Sequence, residues 1–135
     1  MKKIIFIIFI FVNLYATDNY TLKLYEAILP KIFDVPIKVY IKDDIKSILS
    51  VSREFIVVDS CDETVDILIG KHFDNLPESC QKKPVFATSY NEYKDNIHSF
   101  GAFYWRKGRP QIRFNQINLQ KYNLVLPTEL QKYMR

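Results

Sequence analysis

Short runs of β-branched and aromatic residues recur along the chain, and helical patterns or turn signals separate them. The runs cover residues 37–42, 55–58, 65–69 and 84–87. Such residues favour strands, and the middle two runs end at residues that favour turns, namely Asp59-Ser60 and Gly70. Strands that alternate with helices in this way are typical of an α/β fold.

Helical patterns fill three of the intervals between these strands and their flanks. Apolar residues spaced by three and four over residues 20–33 predict an amphipathic helix. Residues 43–49 begin with two carboxylates, which a helix N-terminus favours, and predict a short helix. Ser89 and Glu92 have the spacing of a capping box, which predicts the start of another short helix.

The C-terminal third follows a different pattern. Strand-like runs over residues 98–106 and 111–115 flank the sequence Arg106-Lys107-Gly108-Arg109, which predicts a β-hairpin with a tight turn. Residues 117–122 look helical, and a second capping-box pattern over residues 128–131 predicts a final short helix. The sequence therefore predicts one small α/β domain, three-layer-like, with a mixed sheet and a C-terminal β-hairpin followed by short helices.

The first residues have the pattern of an export signal. Lys2 and Lys3 precede an apolar run over residues 4–12, and Ala16 offers a small residue at a cleavage site. The run is shorter than the roughly 20 residues that span a bilayer as a helix. We therefore predict a signal peptide over residues 1–16, a mature domain over residues 17–135 and a periplasmic location. An uncleaved anchor is the alternative.

Charge and composition argue against several classes of function. The leader carries two of the 19 basic residues, so 17 remain against 15 acidic ones, a balance that does not favour nucleic acid as a partner. The chain has three glycines, too widely spaced for a dinucleotide fingerprint or a phosphate-binding P-loop. No recognisable nucleophile or zinc motif occurs, and we predict no catalytic residues, no cofactor and no metal.

Cys61 and Cys80 are the only cysteines, and an isolated pair in an exported chain predicts a disulfide. Two buried thiols are the alternative. Cys80 could act as a nucleophile with His98 as its base, but an oxidising compartment tends to oxidise both thiols to a disulfide. A metal site at His72 would lack the usual spacing of ligands.

Aromatic residues run directly into basic residues around the predicted hairpin turn. This pattern predicts a partner-binding surface formed by Trp105, Arg106, Lys107, Arg109 and Arg113. Alternate residues of a strand face opposite sides, so one set of side chains is expected in the core. A purely structural role for the aromatic residues is the alternative interpretation.

The same region resembles a known family. Residues 83–89 contain a predicted strand followed by a serine, and they lead to a glycine-containing strand at residues 101–103. Residues 111–119 then contain a further strand, which is followed by the pair Asn118-Leu119 at the start of a helix. Over residues 83–133 this order resembles the YfiR family of small periplasmic regulators, and the N-terminal part is compatible more loosely.

The resemblance implies a non-enzymatic protein that binds and restrains the periplasmic part of an inner-membrane signalling protein, typically a diguanylate cyclase or alternatively a sensor kinase. From the charge balance and the export signal we expect no nucleic-acid partner, and no stable membrane insertion after cleavage of the leader. A homodimer stays open. A small periplasmic solute-binding domain, with a ligand at the carboxyl ends of its strands, is the alternative function.

Overall fold

The computed structural model describes residues 18–134, so the predicted signal peptide over residues 1–16 lies outside the described part. Within residues 18–134 the chain forms one six-stranded mixed sheet with helices, which confirms the predicted α/β class. The strands are β1 Ile37–Lys42, β2 Phe55–Val58, β3 Ile67–Gly70, β4 Val85–Ala87, β5 Ser99–Arg106 and β6 Arg109–Phe114. The α-helices are α1 (residues 18–28), α2 Lys46–Leu49, α3 Tyr90–Asp95 and α4 Gln116–Lys121. Short 3-10 helices cover Leu29–Lys31, Glu78–Cys80 and Thr128–Tyr133.

The sheet has the strand order β2-β1-β3-β4-β5-β6. Neighbouring strands run parallel from β2 to β5, and only β6 is antiparallel to its neighbour. The carboxyl ends of the five parallel strands therefore meet at one edge of the sheet. We call this the carboxyl edge.

The larger core covers the face of the sheet that α1 packs against. Tyr25 from α1 is almost fully buried, and its ring meets Phe86 and Phe103 edge-on, with ring centroids 5.7 Å and 5.8 Å away. Helix α4 and the last 3-10 helix contribute Leu119 and Leu130 to the same cluster. Such pairs of aromatic rings stabilise a core beyond the area that they bury.

The opposite face carries a thinner layer. The connections before β3 and β4 meet there through a disulfide between Cys61 and Cys80, whose Cα atoms are 6.2 Å apart. This confirms the predicted disulfide. The bridge packs with Val65, Leu68 and Val85, while α3 covers the neighbouring strands. Two covered faces give the three-layer arrangement that the sequence predicted.

The helices differ from the predicted ones at their ends. Helix α1 begins by residue 18 and gives way at Leu29 to a 3-10 turn, because Pro30 lacks the amide hydrogen that an α-helix uses. Helix α2 begins at Lys46 and not at residue 43. The Asp43 carboxylate accepts a hydrogen bond from the Ile45 amide, which holds the residues before the helix in a turn. The predicted capping box at Thr128 is wrong: Pro127 precedes a 3-10 helix that has no side-chain cap.

The capping box before α3 is half formed. Ser89 Oγ accepts the Glu92 amide at 3.1 Å, as predicted. The Glu92 carboxylate does not return to Ser89 but accepts the His72 amide at 2.8 Å. This contact fixes the loop after β3 to the start of α3.

No helix within residues 18–134 has the length and apolar character needed to cross a membrane.

Candidate functional site

The β5–β6 hairpin extends beyond the rest of the sheet at the carboxyl edge. Strand β5 pairs with β4 only between Ser99 and Ala102. It pairs with β6 as far as the register pair of Arg106 and Arg109. Residues 103–106 of β5 therefore have a strand partner on one side only, and the hairpin projects as a two-stranded ribbon.

The turn of the ribbon is of a type whose backbone twist matches the right-handed twist of β5 and β6. Lys107 and Gly108 both have positive φ, 51° and 75°, as in a type I′ turn. This confirms the tight turn that the sequence predicted at this position. This turn holds the exposed side chains of residues 106–109, which we call the hairpin tip, away from the sheet.

The five predicted partner-binding residues do not share one face. Trp105 lies on the α1 side, where its ring is 5.8 Å from Phe103 and 5.9 Å from Tyr20, yet it stays 43% exposed. Arg106 and Arg109 are register partners and project from the opposite side. Lys107 lies in the turn between them. The end of the ribbon thus presents cations on one side and the accessible indole of Trp105 on the other.

Arg113 is held against the protein. Its Nε donates to Tyr104 Oη at 2.8 Å, and its guanidinium carbon lies 5.6 Å from the centre of the Tyr90 ring. It is only half-buried, but these contacts give it a bracing role that the sequence did not indicate. The hairpin tip and Trp105 are the freer part of the predicted surface.

The tip cations lack acidic partners. Two ion pairs occur within residues 18–134, and these join Lys31 to Glu129 and Lys46 to Asp59. Neither involves Arg106, Lys107 or Arg109. An acidic surface that met the tip would therefore not have to displace an existing ion pair.

Beside the ribbon lies a cleft of about 440 Å³, of whose lining residues the sequence predicted only Trp105 and Arg106. We call it the carboxyl-edge cleft. Its lining residues are Lys71, Thr88, Ser89, Tyr90, Tyr104, Trp105 and Arg106. They come from the segments directly after β3 and β4 and from the ribbon. The signal that could have found them is positional, because polar residues follow both predicted strands at the edge where α/β folds place ligands.

Backbone and side-chain contacts hold the floor of this cleft. Thr88 Oγ1 donates to Asp43 Oδ2 at 2.7 Å, which links the loops after β4 and β1 across the end of β3. Gly70 has a φ of +146°, and a Cβ there would lie 2.3 Å from the Lys42 carbonyl oxygen. Only glycine fits this close approach of β1 and β3.

Neither His72 nor His98 is among the residues that line the cleft. His98 Nδ1 is 2.5 Å from Tyr122 Oη and 3.2 Å from Lys121 Nζ. Partial burial, followed by the charges of Lys121 and Lys82, lowers the pKa of His98. Because the disulfide occupies Cys80, the alternative of a Cys80–His98 nucleophile is wrong. Residues 18–134 contain no cluster of three or more His, Cys, Asp or Glu side chains suited to a metal ion.

No family model, curated protein or solved structure matches this chain. The resemblance to the YfiR family therefore stays a prediction from the sequence.

Proposed function

We propose that this protein is a non-enzymatic regulatory protein of the periplasm. It binds and restrains the periplasmic part of an inner-membrane signalling protein, a diguanylate cyclase or a sensor kinase. The observation that carries the proposal is the end of the projecting ribbon. Its hairpin tip has three cations that form none of the ion pairs within residues 18–134, and the exposed Trp105 lies beside them.

The chemistry of the tip suits a protein partner. Arginine and tryptophan are enriched among the residues that dominate protein interfaces. The type I′ turn fixes the backbone at the tip, so little conformational freedom is lost there on binding. The ribbon's cations favour an acidic patch on the partner, and Trp105 offers apolar area next to them.

The disulfide supports the proposed location. Cys61 and Cys80 are bonded in the structure, and disulfides persist mainly in oxidising compartments such as the periplasm. Together with the export signal predicted over residues 1–16, the bond favours a protein that acts outside the cytoplasm.

Affinity capture with a charge-matched control tests the binding surface. The double variant Arg106→Ala/Arg109→Ala should fold normally and bind its membrane partner about thirtyfold more weakly, which corresponds to on the order of 2 kcal/mol. Arg53→Ala/Lys94→Ala removes the same charge from two exposed residues outside the hairpin and outside the cleft lining, and it should bind like the wild type. Equal loss in both variants would reduce the effect to net charge, and no loss in either would contradict the proposal.

Restraint of the partner requires a separate measurement. Removing the protein from cells should raise the output of the signalling partner, which for a cyclase is the level of cyclic di-GMP. Returning the wild type should lower that output again, and returning the Arg106→Ala/Arg109→Ala variant should not. An output that falls when the protein is removed would show activation instead.

A further inference from the structure

The carboxyl-edge cleft has two walls of different origin. Lys71 follows β3, and Thr88 and Ser89 follow β4, so one wall belongs to the main sheet. Tyr104 and Arg106 belong to the ribbon and form the other wall. At about 440 Å³ the space falls within the range of small-molecule sites.

The cleft is positively charged and has no acidic residue in its lining. Lys71 and Arg106 take part in neither of the ion pairs formed within residues 18–134. Two acidic residues that are hydrogen-bonded to the lining, Asp43 and Glu92, are already engaged through their carboxylates. Asp43 accepts from Thr88 and from the Ile45 amide, and Glu92 accepts from the His72 amide and from Asn96.

Hydroxyl groups of the lining can add neutral hydrogen bonds. Ser89 Oγ and Tyr104 Oη each act as an acceptor in the structure, toward the Glu92 amide and Arg113 Nε. Each hydroxyl therefore keeps its own hydrogen to donate. Two cations and two hydroxyl donors around one space match the needs of an oxyanion.

We propose that the carboxyl-edge cleft binds a small molecule through a carboxylate or phosphate group. Arg106 and Lys71 hold the anionic group from opposite walls, and Ser89 and Tyr104 donate to it. Tyr90 and Tyr104, whose ring centroids lie 6.2 Å apart, line the same space and favour a flat apolar portion beside the anion.

This site goes beyond the proposed function and can fail separately from it. Lys71 lines the cleft but lies outside the hairpin, whereas Arg109 belongs to the hairpin tip and does not line the cleft. Changes at these two residues therefore separate loss of the ligand from loss of a protein partner.

NMR titration of the full mature chain with defined probes tests the proposal. Benzoate and phenyl phosphate compare the two anionic groups, and benzamide is the neutral match for benzoate. At millimolar concentrations at least one anion should shift the amide signals of Lys71, Ser89 and Arg106 saturably, and benzamide should not. Which anion binds more tightly identifies the preferred group.

Variants complete the test. Lys71→Gln and Arg106→Gln should each weaken anion binding about tenfold, since each removes one charged contact. Arg109→Gln, which also removes a ribbon cation, should leave binding unchanged. The proposal is overturned if neither anion saturates, if benzamide binds as well as benzoate, or if Arg109→Gln weakens binding as much as Lys71→Gln.

Discussion

Arg113 Nε donates a 2.8 Å hydrogen bond to Tyr104 Oη, which ties β6 to β5 on the side of the ribbon that carries Arg106 and Arg109. A two-stranded ribbon has few contacts of its own, and this bond joins its strands where β4 no longer supports them. The orientation of the hairpin therefore depends on a residue pair that lies behind the tip.

Removing the tyrosine hydroxyl tests this dependence. Tyr104→Phe keeps the ring and should lower the free energy of unfolding by about 1 kcal/mol, because the partly buried guanidinium loses an acceptor. Urea unfolding followed by circular dichroism measures the change. Tyr20→Phe, which alters an exposed ring on the other side of the ribbon, should have almost no effect. Equal midpoints for Tyr104→Phe and the wild type would deny the bond a stabilising role.

Two glycines with positive φ should respond very differently to alanine. At Gly70 the new Cβ would lie 2.3 Å from the Lys42 carbonyl oxygen, so Gly70→Ala should cost about 3 kcal/mol or more. An added Cβ at Gly108 would meet no atom within 4 Å beyond its chain neighbours. Gly108→Ala should therefore cost only the strain of a positive φ, about 1 kcal/mol. Chemical denaturation of both variants measures these costs. A larger loss at Gly108 would contradict the described approach of β1 and β3.

The disulfide should contribute substantially to stability. Cys61 and Cys80 are separated by 19 positions, and cross-linking a loop of this size stabilises by roughly 3 kcal/mol in the chain-entropy account. Urea unfolding with and without dithiothreitol should show this difference for the wild type. The variant Cys61→Ala/Cys80→Ala should be insensitive to the reductant. Identical unfolding curves for oxidised and reduced wild type would contradict the prediction.

His98 should titrate below its ordinary pKa of 6.5, because burial and then Lys121 and Lys82 disfavour its charged form. The unfolded chain then takes up this proton before the folded one as the pH falls. The stability linked to His98 is therefore complete above about pH 6.5 and is lost progressively at lower pH. NMR titration of the imidazole measures the pKa, and Lys121→Gln should raise it. A wild-type value above 6.5 would refute the assignment.

Local sequence patterns predicted much of the fold because strands and turns here follow short-range rules. The alternating run over residues 37–42 became β1 unchanged, and Gly108 marked the hairpin turn correctly. Helix ends were predicted less well, since Pro30 and the Asp43 turn compete with the apolar periodicity. A β-bulge between β4 and β5 also puts Phe100 and Phe103 in one core, although uninterrupted alternation would place them on opposite faces.

The candidate site was predicted only in part for a related reason. The basic and aromatic residues of the hairpin are neighbours in sequence and were visible there. The pairing of Lys71 with Arg106 across the carboxyl-edge cleft depends on strand order, which the sequence did not specify. The sequence placed Arg113 on the partner surface, because its basic side chain was visible there. Its contacts with Tyr104 and Tyr90 are tertiary, so the sequence could not show that they hold it against the protein.

The most direct measurement of the central claim is site-specific photo-crosslinking in living cells. A photoreactive amino acid in place of Lys107 reports contacts of the hairpin tip, and one in place of the exposed Ile117 on α4 reports contacts of another surface. We predict that the probe at position 107 crosslinks to an inner-membrane signalling protein and that the probe at position 117 does not. Crosslinks to such a protein from position 117 with none from position 107 would contradict the assignment of the hairpin as the interface.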